Sequence, residues 1–143
     1  MEVRPPQSDD KFARYYDLRW QVLRAPWGQP RGSERDELEE LAEHALIVGE
    51  SGAPLAAGRL HFNSPDEAQI RYMAVAETAR GQGLGMRIVE YLEDVARQKG
   101  ARRIVLNARE EVAGFYRGMG YEIVGPGPTM FGAVAHVRMQ KQL

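Results

Sequence analysis

The stretch that most restricts the fold runs from residue 68 to residue 107. Residues 68–75 read as a strand, and a glycine-dense turn follows at Gly81, Gly83 and Gly85. A helix then extends through Lys99, with Ile88, Val89, Leu92, Val95 and Ala96 on one face and Gly100 as its stop. The apolar segment Arg103-Ile104-Val105-Leu106-Asn107 comes next. Strand, helix and strand joined by one crossover place the two strands parallel in a single sheet. Any fold for this chain has to contain that unit.

The flanking segments add antiparallel neighbours. Ser8 and Asp9 cap a helix over 9–24, whose apolar positions Phe12, Tyr15, Tyr16, Leu18, Val22 and Leu23 recur at three and four before Pro26 ends it. A Pro- and Gly-dense loop covers 26–32, and Ser33 caps an acidic helix expected over 34–43 with Leu38 and Leu41 facing inward. Segments 45–49, 55–62 and 68–75 are joined by tight turns, which makes them antiparallel neighbours. Beyond 107 the pattern predicts a short helix over 110–118, a strand over 121–124, a Gly-Pro-Gly-Pro loop and a last strand over 130–139. With no repeat, low-complexity tract or linker, residues 1–143 read as one α+β domain. The expectation is a mixed, mostly antiparallel sheet of six to seven strands flanked by about four helices.

Composition removes whole classes of function. Hydrophobic residues at 43% and charged ones at 27% are those of a globular chain rather than a disordered or fibrous one. The absence of Cys excludes disulfides, thiolate metal sites and a cysteine nucleophile, and fits a reducing compartment. A net charge of -1 gives no global basic field, so no nucleic-acid partner is expected. No stretch is apolar enough for a membrane span and the first residues lack a signal-peptide pattern, so the expected location is cytoplasmic, with no membrane partner. The three His are far apart in sequence and in no ligand pattern, so no metal is expected.

The glycine turn carries the strongest chemical signal. Backbone N–H groups at a helix start are unpaired and favour anions, and glycines let a phosphate approach them. A dinucleotide fingerprint needs Gly at 86 or 88, which hold Met86 and Ile88, and a P-loop needs Gly-Lys-Ser/Thr near 86–88; both fail. Three alternate glycines behind Arg80 suggest a diphosphate cradle of another kind, with a plain tight turn as the other reading.

Arg80-Gly81-Gln82-Gly83-Leu84-Gly85 resembles the R/Q-x-x-G-x-G/A acyl-coenzyme A signature of the GNAT superfamily of N-acetyltransferases. Residues 106–122, with Ala113, Phe115, Tyr116 and the Gly120-Tyr121 pair, are similar to that family's strand followed by A-x-x-F-Y-x-x-x-G-F/Y. The element order agrees over nearly the whole chain. An acidic segment ending in His44, and His136 shortly before Met139, resemble the ElaA-like branch.

The resemblance implies an acyltransferase that moves the acetyl group of acetyl-CoA onto a primary amine of a small molecule or peptide by direct attack. It implies pantetheine along 71–75, with a backbone N–H near Met73 or Ala74 polarising the thioester carbonyl at a bulge. The implied coenzyme contacts are Met73, Ala74, Val75, Arg80, Gly81, Gln82, Gly83, Leu84, Gly85, Asn107, Phe115 and Tyr116. Tyr116 is the implied general acid, because a phenol with a pKa of about 10 stays protonated at neutral pH; its other reading is a core residue. Asn107 reads as a ligand to pantetheine or as a strand-end cap. Glu110 and His44 are taken as the catalytic partners, with His61, His136 and Glu111 competing for the base. The acidic run from Glu34 to Glu43 reads as a solvated face, or else as a rim attracting a cationic amine. Trp27 reads equally as a cover on the core edge and as a wall of an acceptor pocket. A non-catalytic acyl-CoA sensor acting through a partner protein is the alternative function. The last strand can pair with a second chain as readily as within its own sheet, which leaves a homodimer open.

Overall fold

The computed structural model describes residues 1–143. The Ser8 side chain accepts a hydrogen bond from the Lys11 backbone N–H and opens α1 (Asp9–Leu23). Three antiparallel strands follow: β1 (Glu43–Val48), β2 (Pro54–Phe62) and β3 (Glu67–Val75). The crossover helix α2 (Leu84–Gln98) leads to β4 (Arg103–Arg109), and α3 (Ala113–Arg117) precedes β5 (Glu122–Met130) and β6 (Val134–Gln142). The six strands are ordered β1-β2-β3-β4-β6-β5, and only the β3–β4 pair is parallel. This is the mixed α+β sheet the element order calls for. No helix is long and apolar enough to cross a membrane.

The sheet is covered on both faces. Ile88, Val89, Leu92 and Ala96 of α2 pack on one side against Ala45, Ile47, Ala56, Leu60 and Ile70. On the other side Tyr15 and Leu18 of α1 pack against Leu46, Ala57 and Ala74. β3 changes its facing partway along. Ala68 and Ile70 belong to the α2 side, as do Met73 and Val75, whereas the Tyr72 ring and Ala74 face α1. An extra residue in a strand produces such a flip, because side chains alternate with period two. The register places it: Ala57 pairs with Ala74 and Arg59 with Arg71, so Gly58 alone faces both Tyr72 and Met73.

Three sequence expectations need correction. Residues 34–43 form turns with a single 3₁₀ turn, Glu39–Leu41, so three α-helices flank the sheet rather than four, and Leu41 is 84% exposed rather than inward. The cause is side-chain competition with the backbone. Asp36 accepts from the Leu38 N–H and Glu39 from the Asp36 N–H, which holds the segment out of a helix. The Gly125-Pro126-Gly127-Pro128 segment is part of β5, with register shifts there rather than a loop. β5 is an edge strand, where a missing proline N–H is tolerated. β6 is paired on both sides, by β4 and β5, so the sheet edges are β5 and β1, the latter bridged by Arg4 at Leu46, rather than the last strand.

A Cβ added at Gly58 would lie 2.5 Å from Ile88 Cγ2 and 2.7 Å from Met73 Sδ. Gly58→Ala therefore overpacks the seam between the bulge and α2, and urea denaturation should show a loss of about 1–3 kcal/mol.

Candidate active site

β3 and β4 pair only where Glu67, Ala68 and Gln69 meet Arg103, Ile104 and Val105. Beyond that point the two strands diverge. A cavity of about 1130 Å³ opens between residues 70–75 of β3 and 106–109 of β4. The bulge stands on one wall, with Tyr72 in the left-handed region at φ 58. That conformation is costly for a bulky residue and persists where surrounding contacts hold it.

At one end of the cavity Arg80, Gly81, Gly83, Leu84 and Gly85 line the start of α2. The first bond of that helix runs from Arg87 N to Gly83 O, leaving the N–H groups of Leu84, Gly85 and Met86 without a partner in the chain. Gly81 and Gly83 are left-handed at φ 80 and φ 76, and a Cβ on either would meet nothing within 4 Å. Backbone conformation, not space, is what demands glycine there. Unpaired donors, a helix N-terminus and Arg80 together suit a diphosphate.

A cluster of charged side chains surrounds Tyr72, and of these Arg24, Asp36 and Arg71 line the cavity. Arg19 is fully buried and grips both carboxylate oxygens of Glu39 at 2.9 Å. Arg59, also fully buried, donates to Asp36 at 2.6 and 3.0 Å and to Glu39 at 2.7 Å. Arg71 adds a bond to Asp36 at 2.9 Å. The Tyr72 ring sits among guanidiniums, with those of Arg19, Arg71, Arg59 and Arg24 at 3.9, 4.5, 4.9 and 5.4 Å from its centroid. Burial raises the Asp36 pKa, but the Arg59 bonds and the Leu38 N–H outweigh it and hold the carboxyl at about 2. Glu39 is likewise held low by Arg19 against its burial. The acidic run is therefore no solvated face at Glu34, Asp36 and Glu39, which turn inward, while Glu37 and Glu40 stay exposed.

Eleven of the residues expected at the site line this cavity: Met73, Ala74, Val75, Arg80, Gly81, Gly83, Leu84, Gly85, Asn107, Phe115 and Tyr116. Gln82, Glu110 and His44 are not brought there. Tyr116 is buried, and burial raises its phenol pKa, with Arg109 pulling the other way, so the proton stays on at neutral pH. Glu110 lies on the exposed surface at the start of a 3₁₀ turn. His44 is buried between α1 and β1, with Nδ1 2.8 Å from the Tyr15 hydroxyl and Nε2 2.7 Å from the Glu39 carbonyl.

The other two histidines do reach the cavity. His61 Nδ1 lies 3.1 Å from Arg59 Nη2; a guanidinium only donates, so that lone pair is taken. His136 Nδ1 lies 2.9 Å from the Val134 carbonyl, which only accepts. In its neutral form His136 therefore carries its hydrogen on Nδ1 and has its lone pair on Nε2. Trp27 is a cavity wall, its ring stacked on Phe131 at 6.3 Å. Arg24, Met130 and Phe131 also line the space without any motif to announce them, and Arg71 lines it from the first residue of the β3 segment 71–75, where no motif marks its side chain. No group of three or more His, Cys, Asp or Glu side chains is placed to hold a metal ion.

The fold and the cleft are those of an acyl-transfer enzyme. The chain belongs to the acetyltransferase (GNAT) family, whose model matches residues 12–121, and it is an acyltransferase. YjcF of Bacillus subtilis (strain 168), described as an uncharacterized N-acetyltransferase, is 26% identical over 135 residues, which are 94% of this chain and 95% of that protein. The crystal structure of Escherichia coli ElaA superposes with a TM-score of 0.82 at 20% identity, covering 99% of both chains. An aminoglycoside 6'-N-acetyltransferase complexed with coenzyme A superposes with a TM-score of 0.81 at 18% identity, covering 99% of this chain and 97% of that one. Likeness at these identities establishes the shared fold.

Carboxylates held below their unfolded pKa stabilise the fold above that value and lose the contribution as pH falls. For Asp36 this places the loss between about pH 4, its ordinary value, and about pH 2. Acid unfolding followed by circular dichroism should show stability falling through that window, and Asp36→Asn, already less stable at pH 7, should show a shallower fall.

Proposed function

We propose that this chain is an N-acetyltransferase that moves the acetyl group of acetyl-CoA to a primary amine of a small molecule or peptide, with residues 1–143 acting as one domain. The observation that carries the reading is the cleft between diverging β3 and β4, which runs from the unpaired amides of α2 to the Tyr116 phenol. When bound there, acetyl-CoA supplies an acetyl group already activated as a thioester. The Leu84, Gly85 and Met86 amides and Arg80 hold its diphosphate. The divergent halves of β3 and β4 offer backbone groups to the pantetheine amides, and the bulge at Tyr72 and Met73 turns the β3 backbone where the thioester carbonyl needs a donor.

Two side chains handle the protons. The Tyr116 phenol, kept protonated by burial, donates to the sulfur as it leaves. His136 offers its Nε2 lone pair to the attacking amine, the one imidazole nitrogen on the cavity free to accept. That assignment replaces His44, both of whose ring nitrogens are engaged outside the cavity, and Glu110, which lies away from it.

Thiol release from acetyl-CoA with an accepted amine tests the roles. Tyr116→Phe should lower kcat about 100-fold while the affinity for acetyl-CoA stays within a few-fold. His136→Gln should lower kcat by a similar factor at pH 7, and its deficit should shrink as pH rises, because unprotonated amine then accumulates without help. An unchanged kcat in Tyr116→Phe removes the acid role, and a pH-independent deficit in His136→Gln removes the base role.

A further inference from the structure

The cavity beyond the proposed acetyl position has an unusual charge arrangement. Three of the four guanidiniums around Tyr72 have carboxylate partners: Arg19 with Glu39, Arg59 with Asp36 and Glu39, and Arg71 with Asp36. Arg24 has none. It is 7% exposed, and its Nε and Nη1 donate to the carbonyls of Ser33 and Leu23 at 2.9 and 3.0 Å. Those carbonyls aim the group without neutralising it. Its charged neighbours Arg71 and Arg19 repel it and, after burial itself, push its pKa down. A buried cation with no counter-ion is costly, and the cost is removed by an anion from outside. Arg24 and Arg71 both line the cavity, and Arg109 lines it too. Asp36, already bonded to two arginines, and the exposed Glu37 are the acidic residues in the lining.

We infer that the amine acceptor carries an anionic group, a carboxylate or a phosphate, which is bound between Arg24 and Arg71 with its body against the stacked rings of Trp27 and Phe131. The inference rests on the acetyl-CoA reading above and specifies the chemistry of the acceptor at the same site. The Arg24 guanidinium lies 5.4 Å from the Phe131 ring centroid, so the charged and flat parts of such a molecule meet adjoining walls. An oxyanion accepts two parallel N–H bonds from a guanidinium, which fixes orientation as well as charge. A polyamine would bring further positive charge to a wall where Arg24 is already unpaired.

The test is a competition. Wild-type protein is incubated with acetyl-CoA and a mixture of amino acids, their carboxamides, O-phosphoethanolamine, ethanolamine and spermidine, and acetylated products are quantified by mass spectrometry. Retention of coenzyme A is read separately by native mass spectrometry. The acid-bearing or phosphate-bearing amines should exceed their neutral counterparts about tenfold or more in kcat/KM, the scale of one charged hydrogen bond. Which of the two dominates identifies the oxyanion. In Arg24→Gln, and independently in Arg71→Gln, that preference should fall toward one through a rise in KM. Carboxamides, ethanolamine or spermidine acetylated as well as the anionic amines would overturn the inference. So would the absence of any acetylated anionic amine from a protein that retains coenzyme A, which leaves the donor reading standing. A protein that retains no coenzyme A would overturn the donor reading and the inference with it.

Discussion

The insertion of one residue into β3 is the constraint on which the rest of this molecule depends. Because Tyr72 takes a left-handed conformation, Met73 and Val75 return to the α2 face while the Tyr72 ring is delivered to the α1 face. The strand is thereby turned away from β4 just beyond their three paired residues, and the cavity occupies the gap. Gly58 makes the turn feasible from the opposite strand, since any side chain there would collide with Ile88 and Met73. The guanidiniums of Arg19, Arg59, Arg71 and Arg24 surround the tyrosine ring and hold it by cation–π attraction. Local strain and the cleft between β3 and β4 thus have one origin.

The same cluster links stability to recognition. Arg19 and Arg59 are buried because Glu39 and Asp36 reach them from a segment too rich in internal side-chain bonds to become a helix. Removing either carboxylate strands a buried cation, whereas Arg24 is stranded by construction and faces the cavity. A fully paired network would rigidify the wall and nothing more. The single unpaired member, Arg24, is the part of that wall to which the inferred anionic acceptor is assigned.

The order of elements was legible because it is written in periodicities: the 3.6-residue repeat of α1 and α2, the tight turns between β1, β2 and β3, and the crossover that makes β3 and β4 parallel. The glycine turn before α2 was legible because left-handed backbone at 81 and 83 leaves glycine as the low-strain choice, so the requirement shows as letters. The segment 34–43 was not. Its acidic residues suit a helix start, and neither the bonds that Asp36 and Glu39 make to nearby backbone N–H groups nor their long-range partners Arg19 and Arg59 show in the local periodicity. Nor did the sequence distinguish the three histidines. What each Nδ1 touches tells them apart: a phenol from α1 at His44, the guanidinium two residues earlier on the same strand at His61, and the carbonyl two residues earlier at His136, contacts that depend on side-chain orientation rather than on residue type alone.

Calorimetric titration with acetyl-CoA, set against ATP and NAD and repeated in Arg80→Ala, tests the central claim most directly. The account predicts saturable binding of acetyl-CoA alone, weakened in Arg80→Ala by the loss of one diphosphate contact. A folded protein that ignores acetyl-CoA, or binds ATP or NAD as well, would contradict the assignment of the β3–β4 cleft and the α2 amides to the acyl donor.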